Sequence, residues 1–149
     1  MTALKTRRRT RTGPYVLDEQ VGFLLRQVSQ RHGVIFASLI GEDLTPTQWA
    51  ALAKLQEIGE PCSQNLLGRH TAMDVATIKG VVDRLTKRGL TRTMEDPTDR
   101  RRLLIALTEA GRETVQRAEP NARRISEETL APLTPAEQDV FLELLRKLR

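Results

Sequence analysis

The sequence predicts a mainly α-helical protein with one small β-hairpin, and three observations carry that expectation. Apolar residues recur every three or four positions along most of the chain, as on one face of a helix. Two stretches, Thr45-Pro46-Thr47-Gln48 and Thr134-Pro135-Ala136-Glu137, hold a complete helix-start signal: a capping threonine, proline at the first helical position, and a residue that closes the capping box. The period shifts to that of strands in one region, from Leu90 to Leu107.

The elements follow in order. Met1 to Thr12 is rich in arginine, and residues 1–14 are expected to form a disordered basic arm that Gly13-Pro14 ends. Leu17, Val21, Leu24, Leu25, Val28, Ile35 and Leu39 then mark a long amphipathic helix from Leu17 to Ile40, weakest at Gly33 and stopped by Gly41. A second helix runs from Pro46 to Ile58 and ends at Gly59. Ser63 caps a short helix through Arg69, and Asp74 caps another that reaches Arg88 and stops at Gly89. Leu90–Met94 and Leu103–Leu107 are expected as the two strands of the hairpin, with the charged segment Glu95 to Arg101 between them. Thr108 caps a further long helix in which Pro120 should produce a kink. The last helix carries Val140, Phe141, Leu144, Leu145 and Leu148.

That order contains a helix-turn-helix followed by a β-wing: a winged helix-turn-helix between N- and C-terminal dimerisation helices. The apolar stripes of the outer helices exceed what one small domain can cover, which points to a homodimer. The 149 residues suit one domain, residues 15–149. Within it, 15–44 and 112–149 are expected to dimerise and 45–111 to form the winged lobe.

The middle segment has the chemistry of a groove reader. On the second helix of the motif, Ile78, Val82 and Leu85 form the inward stripe. Val75, Ala76, Thr77, Lys79, Gly80 and Arg84 lie near or on the outward side. Threonine and lysine suit base edges and phosphates, and Val75 suits a thymine methyl. Ala76 and Gly80 are small enough to let the backbone lie deep in a groove. The caps Ser63 and Asp74 complete the helical part of the candidate DNA-binding set, because a helix N-terminus favours a phosphate. In the wing, Asp99, Arg100 and Arg101 join the set. Consecutive arginines on a hairpin tip suit an electronegative minor groove, and Asp99 is placed to brace Arg101 by a charge-assisted hydrogen bond. The net charge of +5 agrees with double-stranded DNA as partner. The cluster Arg7-Arg8-Arg9-Thr10-Arg11 serves either as a solubilising tail or as a minor-groove arm.

Several function classes are disfavoured. No apolar run approaches the roughly 18 residues of a membrane span, and no apolar segment follows the basic start as in a secretory signal. A single cysteine excludes an internal disulfide framework and fits a cytoplasmic location. Two histidines, one cysteine and scattered carboxylates form no metal-ligand spacing, nucleophile elbow or phosphate-cradling loop, so no catalytic residues, no metal site, no cofactor and no enzyme are expected. Aromatics make up 3% of the chain, too few for stacking on unpaired RNA bases.

Three segments together resemble the MarR family of bacterial regulators. They are Val81-Val82-Asp83-Arg84-Leu85 with Lys87-Arg88-Gly89-Leu90, then Asp96-Pro97-Thr98-Asp99-Arg100-Arg101, then Leu107-Thr108-Glu109-Ala110-Gly111. The resemblance covers roughly residues 62–112, with flanking helices that agree in pattern. It implies an intertwined dimer, a palindromic operator and often an effector pocket between dimerisation helices and DNA-binding lobe. It also implies that Asp99 and Arg101 are wing brace and minor-groove finger, with Thr77, Lys79 and Gly80 on the major-groove face. The turn Thr71-Ala72-Met73 departs from the family, which often has glycine there. The segment Gln64 to Arg84 is further similar to repressors of nicotinate catabolism that respond to 6-hydroxynicotinate. A small aromatic-acid effector needs a flat apolar wall and cationic or hydrogen-bonding groups. The candidates are Tyr15, Arg31, His32, Trp49 and His70, each of which has a plain surface or core role as its alternative. Two other readings stand beside the repressor: a redox-sensing regulator that uses Cys62 at a helix N-terminus, and a winged-helix module that binds protein.

Overall fold

The computed structural model describes residues 12–149. Most of the expected basic arm, with the Arg7–Arg11 cluster, lies outside the described residues. A short 3-10 turn, Leu17–Glu19, precedes α1 (Val21–Leu39). Then come α2 (Pro46–Ile58), β1 (Cys62–Ser63), α3 (Gln64–His70) and α4 (Val75–Lys87). The strands β2 (Thr91–Glu95) and β3 (Leu103–Leu107) lead to α5 (Glu109–Leu130) and α6 (Pro135–Lys147).

The capping signals place the helices closely. Thr45 and Thr134 each form a full box with Gln48 and Glu137, and proline begins both helices. Thr108 Oγ1 accepts from the Gly111 amide at the start of α5. The first helix differs from expectation. Gln20 is extended (φ −89°, ψ 135°), so the 3-10 turn over 17–19 is separated from α1, which begins at Val21. Past that point α1 runs through Gly33 without a break, and α5 likewise continues through Pro120 for 22 residues.

The hairpin is also more than two-stranded. β1 adds to the outer edge of β3, giving an antiparallel sheet in the order β1-β3-β2, with Cys62 opposite Ile105 and Ser63 opposite Leu104. Thr91 pairs with Leu107 and Glu95 with Leu103. Leu90, expected to open the strand, instead closes α4: its N–H donates to the Leu85 carbonyl across left-handed Gly89 (φ 73°). This is the long-range bond of a Schellman-type helix end.

One core runs through the domain. Leu52, Leu67, Ile78, Val81 and Leu85 are fully buried where α2, α3 and α4 meet. Ile105 and Leu107 from β3, Val115 and Ala118 from α5, and Phe36 and Ile40 from α1 extend it. The outer helices leave apolar surface uncovered. Val21, Leu24, Leu25 and Val28 on α1 are exposed, as are Val140 and Leu144 on α6 and Leu148 at its C-cap, and α6 buries no residue. Among the described residues, no helix is long and apolar enough to cross a membrane.

Candidate nucleic-acid interface

The helix-turn-helix is held by close backbone approach. A Cβ on Gly68 of α3 would lie 3.1 Å from Ile78 Cγ2 and 3.2 Å from the Met73 carbonyl oxygen, so this glycine lets α4 pack tightly on α3. The turn closes through Met73 N–H to the Gly68 carbonyl (2.9 Å) and Thr71 Oγ1 to the Leu67 carbonyl (2.7 Å). Ala72 sits in this turn at φ 55°, a left-handed conformation that suits glycine.

The two cap residues hold the starts of their own helices. The Ser63 hydroxyl accepts from the Leu66 amide (3.3 Å), and Ser63 is 8% exposed. It caps α3 from a nearly buried position. The Asp74 carboxylate accepts from the Thr77 amide at 2.7 Å, and this bond holds its pKa below the usual carboxylate value. The carboxylate therefore fills the anion-favouring N-terminus of α4, where a phosphate was expected.

The other helical candidates lie on the outer face. Val75, Ala76, Thr77, Lys79 and Arg84 are exposed and Gly80 half-buried, while Ile78, Val81, Val82 and Leu85 turn inward. This segregation gives α4 one apolar and one polar or small-residue face. Lys79 pairs with Asp83 one turn on (3.0 Å). Arg84 leans back over Gly80, where a Cβ would lie 3.6 Å from its Nη1.

The wing tip is ordered by its aspartates. Asp96 Oδ1 accepts from both the amide (2.9 Å) and the hydroxyl (2.7 Å) of Thr98, which lowers its pKa. Asp99 Oδ1 accepts from the backbone amide of Arg101 (3.0 Å). The expected brace thus exists, but it grips the main chain and not the guanidinium. The tip closes with Asp96 N–H to the Arg102 carbonyl and Arg102 N–H to the Asp99 carbonyl. Arg100, Arg101 and Arg102 are exposed, and among the described residues none of their side chains has a hydrogen bond or ion pair.

The effector candidates are only partly gathered. Arg31 donates to the Thr129 (2.8 Å) and Glu128 (2.9 Å) carbonyls, and His32 Nδ1 lies 2.8 Å from Thr129 Oγ1. This pair secures the last turn of α5. Tyr15 is 77% exposed, Trp49 packs half-buried against the core, and His70 is exposed in the last turn of α3. No hydrogen bond joins these three to Arg31 or His32. A cleft of about 250 Å³ lies elsewhere, lined by the end of α2, Pro61, Arg92, Leu107 and Arg112, and it contains none of the five. Sequence reading missed it because its walls come from four separate segments.

Cys62 is buried in β1, and burial together with the Glu60 charge raises its thiol pKa. A redox sensor needs an exposed thiol of depressed pKa, so the structure does not support that alternative. No group of three His, Cys, Asp or Glu residues placed to hold a metal ion occurs among the described residues.

The MarR family profile matches residues 44–103, from the end of the α1–α2 turn to the first residue of β3. The chain is 43% identical over 136 residues to the HTH-type transcriptional repressor NicR of Pseudomonas putida, an alignment that covers 91% of this chain and 85% of NicR. The chain belongs to the MarR family. Two solved structures extend the likeness over nine-tenths of the chain. A probable transcriptional regulator from Pseudomonas aeruginosa superposes with a TM-score of 0.88 at 54% identity, over 90% of this chain and 100% of that one. BpsR of Bordetella bronchiseptica, whose DNA binding is regulated by 6-hydroxynicotinic acid, superposes with a TM-score of 0.87 at 42% identity, over 91% and 97%. The winged helix-turn-helix of this MarR protein is therefore the fold that its relatives share.

Proposed function

We propose that this MarR protein is a dimeric, cytoplasmic, sequence-specific transcriptional repressor, without catalytic activity, released from its operator by a small aromatic acid. The observation that carries the reading is the wing. Three consecutive exposed arginines, whose side chains form no hydrogen bond or ion pair among the described residues, stand on a tip whose backbone is fixed by two aspartates, beside a helix with a polar outer face. A wing that binds protein needs no such free cationic cluster. The exposed apolar faces of α1 and α6 support a second copy as the dimer partner. The dimer would present two α4 helices to successive major grooves about 34 Å apart. An effector acts by binding better to a dimer whose helix spacing no longer fits. The likeness to NicR and BpsR favours 6-hydroxynicotinate as the first acid to test.

The test is binding of the purified protein to its own upstream DNA at several salt concentrations, with and without 6-hydroxynicotinate. Tight, steeply salt-dependent binding that the acid releases is the expected result. Binding without release sinks the effector and keeps the repressor. Equal affinity for unrelated DNA counts against the repressor at that site.

A further inference from the structure

The turn that joins α1 to α2 has an unusual backbone. Gly41, Glu42 and Asp43 have φ of 67°, 57° and 50°, three successive left-handed residues of which two carry side chains. L-residues avoid this region, and a run of them persists only where neighbours hold it. Two helices do so from opposite lobes. From the DNA-binding lobe, Arg88, the residue that ends α4, donates from Nη2 to the Glu42 carbonyl (2.8 Å) and from Nη1 to the Asp43 carbonyl (3.0 Å). Its Nη1 also reaches Gln48 Oε1 (3.3 Å). From the dimerisation side, Arg117 of α5 clasps the Glu42 carboxylate through Nε (3.0 Å) and Nη2 (3.2 Å), and Asn121 donates to the Ile40 carbonyl.

We propose that Arg88 is a positioning residue for operator recognition: it fixes the tilt of α4 against the α1–α5 pair and so sets the distance between the two recognition helices of the dimer. This rests on the DNA-binding reading only for its consequence, not for its geometry. Among the described residues, Arg88 supplies the side-chain hydrogen bonds from the end of α4 to this turn, while the other grip on it comes from α5. Helix α4 keeps its own caps without Arg88, through Asp74 at one end and the Leu90 amide at the other, and its buried face keeps Ile78, Val81 and Leu85. Loss of Arg88 therefore frees orientation more than folding. The lever is long: α4 has 13 residues, about 20 Å at 1.5 Å each, so a tilt of roughly 5° pivoting at Arg88 moves the Val75 end by about 2 Å. Two carbonyls a short distance apart call for a planar fork of donors, which arginine has and lysine lacks.

The first test needs no DNA. Spin labels are placed at Thr77→Cys on α4 and Ser126→Cys on α5 in a Cys62→Ser background, diluted with unlabelled protein so that each dimer holds one labelled chain. The parent should give one narrow distance distribution, and Arg88→Ala and Arg88→Lys should both broaden or shift it while the circular dichroism stays the same. An unchanged distribution in folded Arg88→Lys overturns the proposal. The second test uses the footprinted upstream duplex, a single half-site, and duplexes with one base pair added or removed at the centre. Arg88→Lys should keep half-site affinity within about twofold and lose roughly tenfold on the full site, with spacing discrimination reduced. An equal loss on every duplex would mark Arg88 as a general stability or phosphate contact and overturn the positioning role. If the parent binds no DNA while the label distances still move, the repressor reading fails and Arg88 still orients α4.

Discussion

The Asp99 carboxylate accepts a hydrogen bond from the Arg101 backbone amide at 3.0 Å, which leaves the Arg101 guanidinium free at the tip of the wing. The two residues should therefore fail differently when replaced. Arg101→Ala removes an exposed cation of the wing tip and leaves the tip folded. It should weaken operator binding and, if the contact is to phosphate, reduce the salt slope by about one. Asp99→Ala loosens the turn but removes no cation, so affinity should fall with the salt slope nearly unchanged. Fluorescence anisotropy across a salt series separates the two, and unchanged affinity of Arg101→Ala would remove the wing from the interface.

Gly111 gives the Leu-Thr-x-x-Gly sequence at the start of α5 a physical reason. A Cβ at this position would run into the Leu90 carbonyl oxygen and come within 3.2 Å of Leu107 Cδ2. That carbonyl already accepts from the Thr108 amide, and Thr108 Oγ1 donates to the Gly89 carbonyl (2.6 Å), so the junction of α4, β2 and α5 has no slack. Gly111→Ala should destabilise the fold by about 1–3 kcal/mol, as overpacking does. Urea unfolding measures it, and a midpoint equal to the parent's would mean that the junction yields easily.

Much of this architecture was legible because helix boundaries are written in local chemistry. Thr45-Pro46-Thr47-Gln48 fixes the start of α2 by its own hydrogen bonds, and left-handed Gly59 fixes its end. What was not legible depends on partners distant in the chain. Cys62 and Ser63 form a strand only because β3 offers them an edge, and two residues are too few to show alternation. Ser63 was legible as a cap, while its burial depends on its pairing with Leu104 of β3. Arg88 ended its helix as expected, yet its bonds to residues 42 and 43 span more than forty positions, and no periodicity announces them. The long-range role of Arg31 and His32 was not legible either, since their bonds to Glu128 and Thr129 at the end of α5 span about a hundred positions.

Acid should destabilise the fold through four carboxylates that their hydrogen bonds hold below the ordinary carboxylate pKa. The Thr77 amide holds the Asp74 carboxyl below its ordinary value, Thr98 does the same for Asp96, Arg117 for Glu42, and Thr134 for Glu137. Each folded pKa lies below the unfolded one, so the stabilisation is full above the unfolded value and is lost as pH falls through the folded value. Stability should therefore decline from about pH 5 downward toward pH 2. Asp74→Asn keeps a capping oxygen but has no carboxyl to titrate. Its stability should be flatter over that range, as read from urea midpoints at successive pH values. A slope identical to the parent's would mean that the cap contributes nothing to acid sensitivity.

Leu144 tests the dimer. It lies on α6, four residues from Val140 and four from the C-cap Leu148, and the three are 51%, 53% and 74% exposed in the single chain. A stripe of that kind, with Leu24, Leu25 and Val28 equally uncovered on α1, is unfavourable in water unless a partner covers it. Leu144 has no core role, so Leu144→Asp places a charge on the stripe with little effect inside the protomer. A charge buried without a counter-ion in a dimer interface costs several kcal/mol, enough to separate the subunits at micromolar concentration. Sedimentation equilibrium should then give a monomer mass, with operator affinity reduced toward that of a single half-site. A dimeric mass for Leu144→Asp would move the interface off this face of α6 and leave the exposed stripe to another partner.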